Sequence, residues 1–493
     1  MTRFPPFPPA EMRKALLGAL PDHDQSYADL RPPQFTYLPP SHAHALNPDN
    51  VIVEGMRGAG KSHWWNFLNS PKHLGYLRDT FPEARIATSL DVSQGFGVGV
   101  DPAVAPLKDS LVGLLQQGHN PRHIWQAVIA VHAEFPAPYP GRGAKWSERV
   151  QWIRDNPEDY DAIQYGAGEL LKRKGRKRLI LFDALDRLAD DWRGVRPLAR
   201  ALFQLALDIS ASRGLRLKLF VRPDMLEDKE ILAFPDSSKL LARKVALTWR
   251  RADLYALLFQ CLANDKSHGE VFRNHAKKVF HLRWQEKTNE TWALPNELRS
   301  DESVQKDVFH ALAGPAMATG QFGHKRGFPY TWLPNHLVDG RDQVSPRSFF
   351  AALRSAAASD PPQNWEYALH YRAIQAGVQE ASKIRVKEIT QEDYPWVEPL
   401  MEPLKTRITV PCTVDDVTGL WLAHNTLGGI QDALARTDVK LLPPHFEEGD
   451  VGVLRDLKDL GVINYLSDER IQMPDVYRIA FGLGRKGGVK PLK

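Results

Sequence analysis

Cysteine is almost missing from this 493-residue chain: there are two, Cys261 and Cys412, far apart and outside any CxxC pair. That excludes a disulfide scaffold and a cysteine-based zinc module, and it suits a reducing compartment. No run approaches the ~18–20 apolar residues needed to cross a bilayer. The opening stretch MTRFPPFPPAEMRKALLGALPDHD is broken by prolines and acids and has no secretory core. Strong charge of one sign is missing too; a net +5 does not announce nucleic-acid binding by itself. There is no internal repeat, and no GxSxG, HExxH or kinase HRD set, so no protease or nuclease centre is visible. The remaining expectation is a soluble, cytoplasmic protein whose length implies several domains and whose 43% apolar content supplies real cores.

Residues 1–48 are proline-rich and predict an extended N-terminal arm with turns. From Val51 a strand, a glycine turn and a helix follow. EARIATSLDV, RKRLILFDALDRLADDW and GLRLKLFVRPDML each contain a strand-like apolar run. Between the last two, VRPLARALFQLALDISA repeats its apolar residues at helical spacing. Strands alternating with helices predict an α/β core with a parallel sheet over residues 49–250. Residues 251–400 turn helical, and SPRSFFAALRSAAASD predicts a helix capped by Ser345 with Pro346 in its first position. In residues 401–493, FEEGDVGVLRDLKDLGVINYLSDERIQMPDVYRIAF reads as helix, turn, strand, tight loop, strand.

The glycine turn is Gly55-Met56-Arg57-Gly58-Ala59-Gly60-Lys61-Ser62, a full match to GxxxxGK[ST]. Glycines let successive backbone N–H groups face one anion at a helix N-terminus. Gly55, Arg57, Gly58, Ala59, Gly60, Lys61, Ser62 and His63 are therefore the candidate nucleotide-binding residues. Lys61 is the expected partner of the outer phosphates, and the Ser62 hydroxyl the expected ligand of Mg²⁺. LILFDALD supplies the acids: Asp183, at the end of its strand, for the metal shell, and Asp186 for the attacking water. FVRPDM ends the next strand, where Arg222 is a candidate γ-phosphate sensor at the ligand-binding edge of an open sheet. Arg347, in SPRSFF, is the candidate that folds over the nucleotide from a lid.

In this order, GMRGAGKS, LILFDALD, FVRPDM, SPRSFF and the junction VALTWRRADLYALL resemble the AAA+/STAND branch of P-loop ATPases. GVINYLSDERIQMPDVYRIAFGLGRKGGVKP is similar to the winged-helix end of such proteins. The resemblance implies a P-loop NTPase core, a helical lid and a C-terminal winged-helix-like domain, with ATP and Mg²⁺ as cofactors. It also implies an ATP-driven switch, a regulatory subunit of an antiphage or mobile-element defence complex that controls a separate effector within a homo- or hetero-oligomer. No clean GxP lid motif is present, and Arg250 and Arg251 are candidates for a trans-acting finger by position only. Two rival readings stay open: a DNA-binding initiator or loader ATPase, and a scaffold cemented by ATP with negligible turnover.

For nucleic acid the candidates are the basic run Lys172–Arg178 and the tail residues Arg485, Lys486, Lys490 and Lys493. The helix before the wing carries Glu447, Glu448, Asp450, Asp456 and Asp459 against Arg455 and Lys458, which opposes a place among phosphates and points to a protein partner. Trp64 and Trp65 are expected to pack on the sheet.

Overall fold

The computed structural model describes residues 4–22, 30–141, 143–212, 214–287, 291–320, 322–436 and 442–485. The chain forms two compact units, one of residues 26–33 and 38–248, the other of residues 1–25, 34–37 and 249–493.

The first unit is built on five parallel strands, β1 (Ile52–Glu54), β2 (Leu90–Phe96), β3 (Lys177–Phe182), β4 (Leu215–Val221) and β5 (Val245–Ala246), in the order β2-β3-β4-β1-β5. Successive strand residues point to opposite faces, and here both faces are covered. Val53, Leu179, Leu181 and Phe220 join one core with Trp64, Trp65 and Leu68 of the helix Lys61–Asn69. Ile52, Ile180, Phe182, Leu219 and Val221 join another with the helices Pro121–His132 and Trp192–Ile209. Burial on both faces explains why these strands read as continuous apolar runs. The topology sets β4 between the P-loop strand and the LILFDALD strand, so the C-terminal ends of β1, β3 and β4 share one edge.

The second unit is helical. Ser345 caps Pro346–Ala358 as expected, accepting from the Arg347 amide at 3.2 Å. The winged-helix-like part runs through Thr409–Val410, Val414–Ala423, Thr426–Arg436 and Gly449–Asp459, then the antiparallel wing of Asn464–Tyr465 and Ile471–Gln472. Asp475–Phe481 follows, and Gly484–Arg485 returns parallel to Thr409–Val410.

Two expectations about boundaries differ from this. Among the described residues of 1–48, two stretches are helical where extended chain was expected. Pro9–Ala19 is a helix that buries Met12 and Leu16, with the preceding Phe7, in the core of the second unit, and Pro40–Leu46 is a helix of the first. Prolines 9 and 40 occupy first helical turns, where the missing N–H costs nothing and the fixed φ suits the helix. The other expectation was a boundary between residues 400 and 401. That position lies in the helix Val397–Met401, where the Leu400 carbonyl accepts from Trp421 Nε1 at 2.8 Å inside one continuous core.

Candidate nucleotide site

β1 runs into the glycine turn, and the Gly55 amide still bonds the Val221 carbonyl of β4 at 3.0 Å. Gly58 and Gly60 have φ of 76° and 106°, a region that side-chain-bearing residues rarely adopt. A Cβ at Gly55 would stand 3.1 Å from Lys61 Cγ, so the loop closes tightly over its own lysine. The Lys61 ammonium donates to the Gly55 carbonyl at 2.6 Å and to the Met56 carbonyl at 3.1 Å. Burial lowers its pKa to about 8, against the pull of Asp183.

Ser62 is exposed at the start of the next helix, and its hydroxyl donates to Asp183 Oδ2 at 2.6 Å. Asp183 is only 4% exposed, just past the end of β3. Burial pushes its carboxyl up, though the Ser62 bond and Lys61 oppose that. One hydroxyl and one carboxylate form a hard oxygen pair that fits Mg²⁺, which takes few protein oxygens and completes its shell with water and phosphate.

Ala184 adopts a left-handed conformation (φ 55°), and the turn Leu185–Arg187 follows at once. This bend sends Asp186 toward a different partner: Arg222 Nη1 lies 3.1 Å from Asp186 Oδ2, while Arg222 Nε reaches Asp224 Oδ1, also at 3.1 Å. Burial works against ionisation of Asp186, but Arg222 and Lys61 outweigh it and hold the carboxyl below its usual range. Lys61, Ser62, Asp183, Asp186 and Arg222 are thus gathered at one edge of the sheet. The core is a parallel α/β sheet that carries a P-loop-type glycine turn.

His63 follows Ser62 in the first turn of the helix Lys61–Asn69. Its ring lies 5.0 Å from Trp64 and 5.3 Å from Phe67, and burial lowers its pKa to about 4. Trp64 and Trp65 are buried, as expected, and Trp64 Nε1 donates to His42 Nδ1 at 3.1 Å. That buried His42 contact was not foreseen; the only signal was a histidine inside the short SHAHAL run.

Arg347 belongs to the second unit, where its guanidinium pairs with Glu388. Arg250 pairs with Asp253 at 2.8 Å and Arg251 with Glu302 at 3.0 Å. The basic run at the N-terminal edge of β3 is largely neutralised: Lys172 by Glu169, Arg176 by Asp91, Lys177 by Asp49, and Arg178 by Glu134. In the helix before the wing, Asp456 is not a surface acid. It is buried and accepts from the His445 amide at 2.9 Å, its other oxygen lying 2.6 Å from His445 Nδ1. The exposed face holds Val451, Arg455 paired to Glu448, and Lys458 over the Tyr465 ring. At the wing tip Arg470 is paired to Asp468. Lys486, Lys490 and Lys493 lie outside the described residues.

No family model matches the chain, and no curated protein does. Similar solved structures include the Aeropyrum pernix ORC2 protein in its ADPNP-ADP complexes, at 14% identity and a TM-score of 0.36, covering 90% of this chain and 93% of that one. The Aeropyrum pernix ORC1 protein in complex with DNA is 13% identical with a TM-score of 0.33, covering 94% and 93%. Cdc6p from Pyrobaculum aerophilum is 12% identical with a TM-score of 0.28, covering 88% and 83%. Likeness of this degree carries no functional weight, and the chemistry rests on the geometry above.

Proposed function

We propose that the chain is an ATP-binding and ATP-hydrolysing switch of the AAA+ type, and that initiator- or loader-type work on nucleic acid suits it better than control of an antiphage effector. The observation that carries the ATPase reading is the Lys61–Ser62–Asp183 arrangement, with the Ser62 hydroxyl 2.6 Å from the Asp183 carboxylate. The ORC and Cdc6 names above accord with the loader reading without carrying it, and nothing among them points to phage defence.

Nucleotide binding would exchange the contacts of Lys61 with Gly55 and Met56 for contacts with the outer phosphates. Ser62 and Asp183 would hold Mg²⁺, which supplies charge neutralisation on the β- and γ-oxygens. Arg222 now bridges Asp186 and Asp224. A γ-phosphate competing for that guanidinium would loosen Asp186 and let it orient the attacking water. Arg347 would serve as the lid contact.

A second reading has its own support. The wing tip and the helix before it expose Glu447, Glu448, Asp468 and Glu469, with Arg455 and Arg470 already paired. That surface suits a basic protein partner better than phosphates. Phosphate release by the full chain, alone and with duplex DNA, single-stranded DNA or a co-purifying protein, each beside Lys61→Ala, separates the readings. Stimulation by DNA supports the loader, and stimulation by protein alone supports the regulatory switch. Tight ATP binding with negligible release would make the chain a nucleotide-cemented scaffold and overturn hydrolysis.

A further inference from the structure

We propose that residues 322–328, with Lys306 and His310 beside them, form a binding surface for single-stranded nucleic acid. From Val308 to Val338 the sequence contains no Asp or Glu. Within this acid-free stretch the chain makes a tight loop whose base is closed by the Met317 amide donating to the Gly327 carbonyl at 2.9 Å. Further bonds run from the Lys325 amide to the Phe322 carbonyl at 3.0 Å and from the Gly327 amide to the His324 carbonyl at 3.1 Å. Gly323 is buried so closely that a Cβ would come within 2.3 Å of the Ala318 carbonyl oxygen. These contacts hold residues 322–327 in place without a ligand.

Two rings stand out on it: Phe322 is 62% exposed and Phe328 38%. Lys325 Nζ lies 4.6 Å over the Phe322 ring and Lys306 Nζ 4.6 Å over the Phe328 ring. The His310 ring is stacked 5.9 Å from Phe328; it is buried, and its Nε2 has no hydrogen-bond partner among the described residues. Among the described residues, none of Lys306, His324, Lys325 and Arg326 is paired with a carboxylate. That sets this surface apart from Lys172, Arg176, Lys177 and Arg178, each paired with a carboxylate, and from the paired arginines of the wing.

Unpaired cations beside exposed aromatic faces match a single strand, whose phosphates meet the cations while its bases stack on the rings. A duplex hides its base faces, and an acidic peptide would leave the rings unused. The surface shares no residue with the candidate nucleotide site, so it stands whether or not the chain hydrolyses ATP.

The test is fluorescence anisotropy of a labelled oligothymidylate with the full chain. Phe322 is mostly solvated, so Phe322→Ala should fold normally and weaken binding by about tenfold. Phe322→Trp should keep the affinity and show fluorescence quenching as bases stack. Lys325→Ala with Arg326→Ala should also weaken binding and flatten the log–log salt slope by about 1.4. Lys61→Ala should bind the oligonucleotide like wild type, which separates this surface from the ATPase reading. Unchanged affinity in the Phe322 and Lys325/Arg326 variants would overturn the proposal. So would equally tight duplex binding, or competition by anionic vesicles or polyglutamate at lower concentration than by the oligonucleotide.

Discussion

The two ends of the central sheet are both rich in charge, yet they do different work. At the C-terminal end, Lys61, Asp183, Asp186 and Arg222 are drawn into buried or half-buried positions, and burial moves the pKa of Lys61 down and that of Asp183 up. At the N-terminal end, Asp49 pairs with the half-exposed Lys177 at 3.0 Å and with the more covered Arg216 at 2.8 Å, while Asp91 pairs with the half-exposed Arg176 at 2.6 Å. Exposed pairs of that kind contribute little and tie strands together. Buried charges that are incompletely matched are costly, and they persist where a ligand completes them. The contrast is one of environment: both ends use the same residue types.

The comparison can be broken from its strong side first. Lys61→Ala should cut phosphate release by at least about 100-fold while leaving circular dichroism and Tm as in wild type; retained turnover would mean that the C-terminal end is not the working one. Asp183→Asn should lose activity on a similar scale and the response to added Mg²⁺, with a nucleotide-free Tm no lower than wild type, because a buried charge has been removed. A clear drop in Tm would show that Asp183 is there for stability. Arg222→Ala should cost about 10- to 100-fold in kcat with little change in KM, since it acts on the terminal phosphate and on Asp186. An effect confined to KM would instead make Arg222 a simple binding residue.

Below these lies a pH effect. His42 is buried against Trp64, and burial lowers its pKa to about 3 from an ordinary value near 6.5. The unfolded chain therefore binds a proton that the folded chain excludes between those values. Stability of the first unit should be full above about pH 6.5 and fall as pH drops toward 3. Urea unfolding at pH 7 and pH 5 would show a lower midpoint at pH 5, and His42→Gln should reduce the difference, His63 keeping part of it. The smallest effect belongs to the exposed end of the sheet: Asp49→Ala should change stability by no more than about 1 kcal/mol and leave phosphate release untouched.

The grouping of Lys61, Ser62, Asp183 and Arg222 at one sheet edge was legible in the chain because its signals are local. A strand, GMRGAGKS and a helix are contiguous, and an apolar run ending in Asp183 marks its own position on a sheet edge. Arg222 was legible for the same reason, at the end of GLRLKLFV. What misled the reading were residues whose meaning depends on what lies opposite them. The prolines of residues 1–48 resemble an extended arm until Pro9 and Pro40 are seen starting helices. Asp456 counts as surface charge until His445 is seen beside it. Lys172–Arg178 looks like a phosphate patch until its distant carboxylates are paired off. The Phe322–Phe328 loop left no mark as a motif, since its character comes from Lys306 and His310 on a neighbouring helix.

By itself, then, the amino-acid sequence determined that this protein has a parallel α/β core carrying a P-loop-type turn, followed by a helical region that ends in a wing. Those follow from periodicity and from glycines at fixed spacing, which act over a few residues. Only the tertiary structure decided which charges are buried, paired or left open. Lys218 shows why: a strand residue with nothing in its neighbourhood to mark it, it is fully buried and donates to the carbonyls of Ala45, Asn47 and Asn50 at 2.6, 2.9 and 2.6 Å. Burial and pairing depend on contacts between residues far apart in the chain, and no local pattern encodes the dielectric that those contacts create.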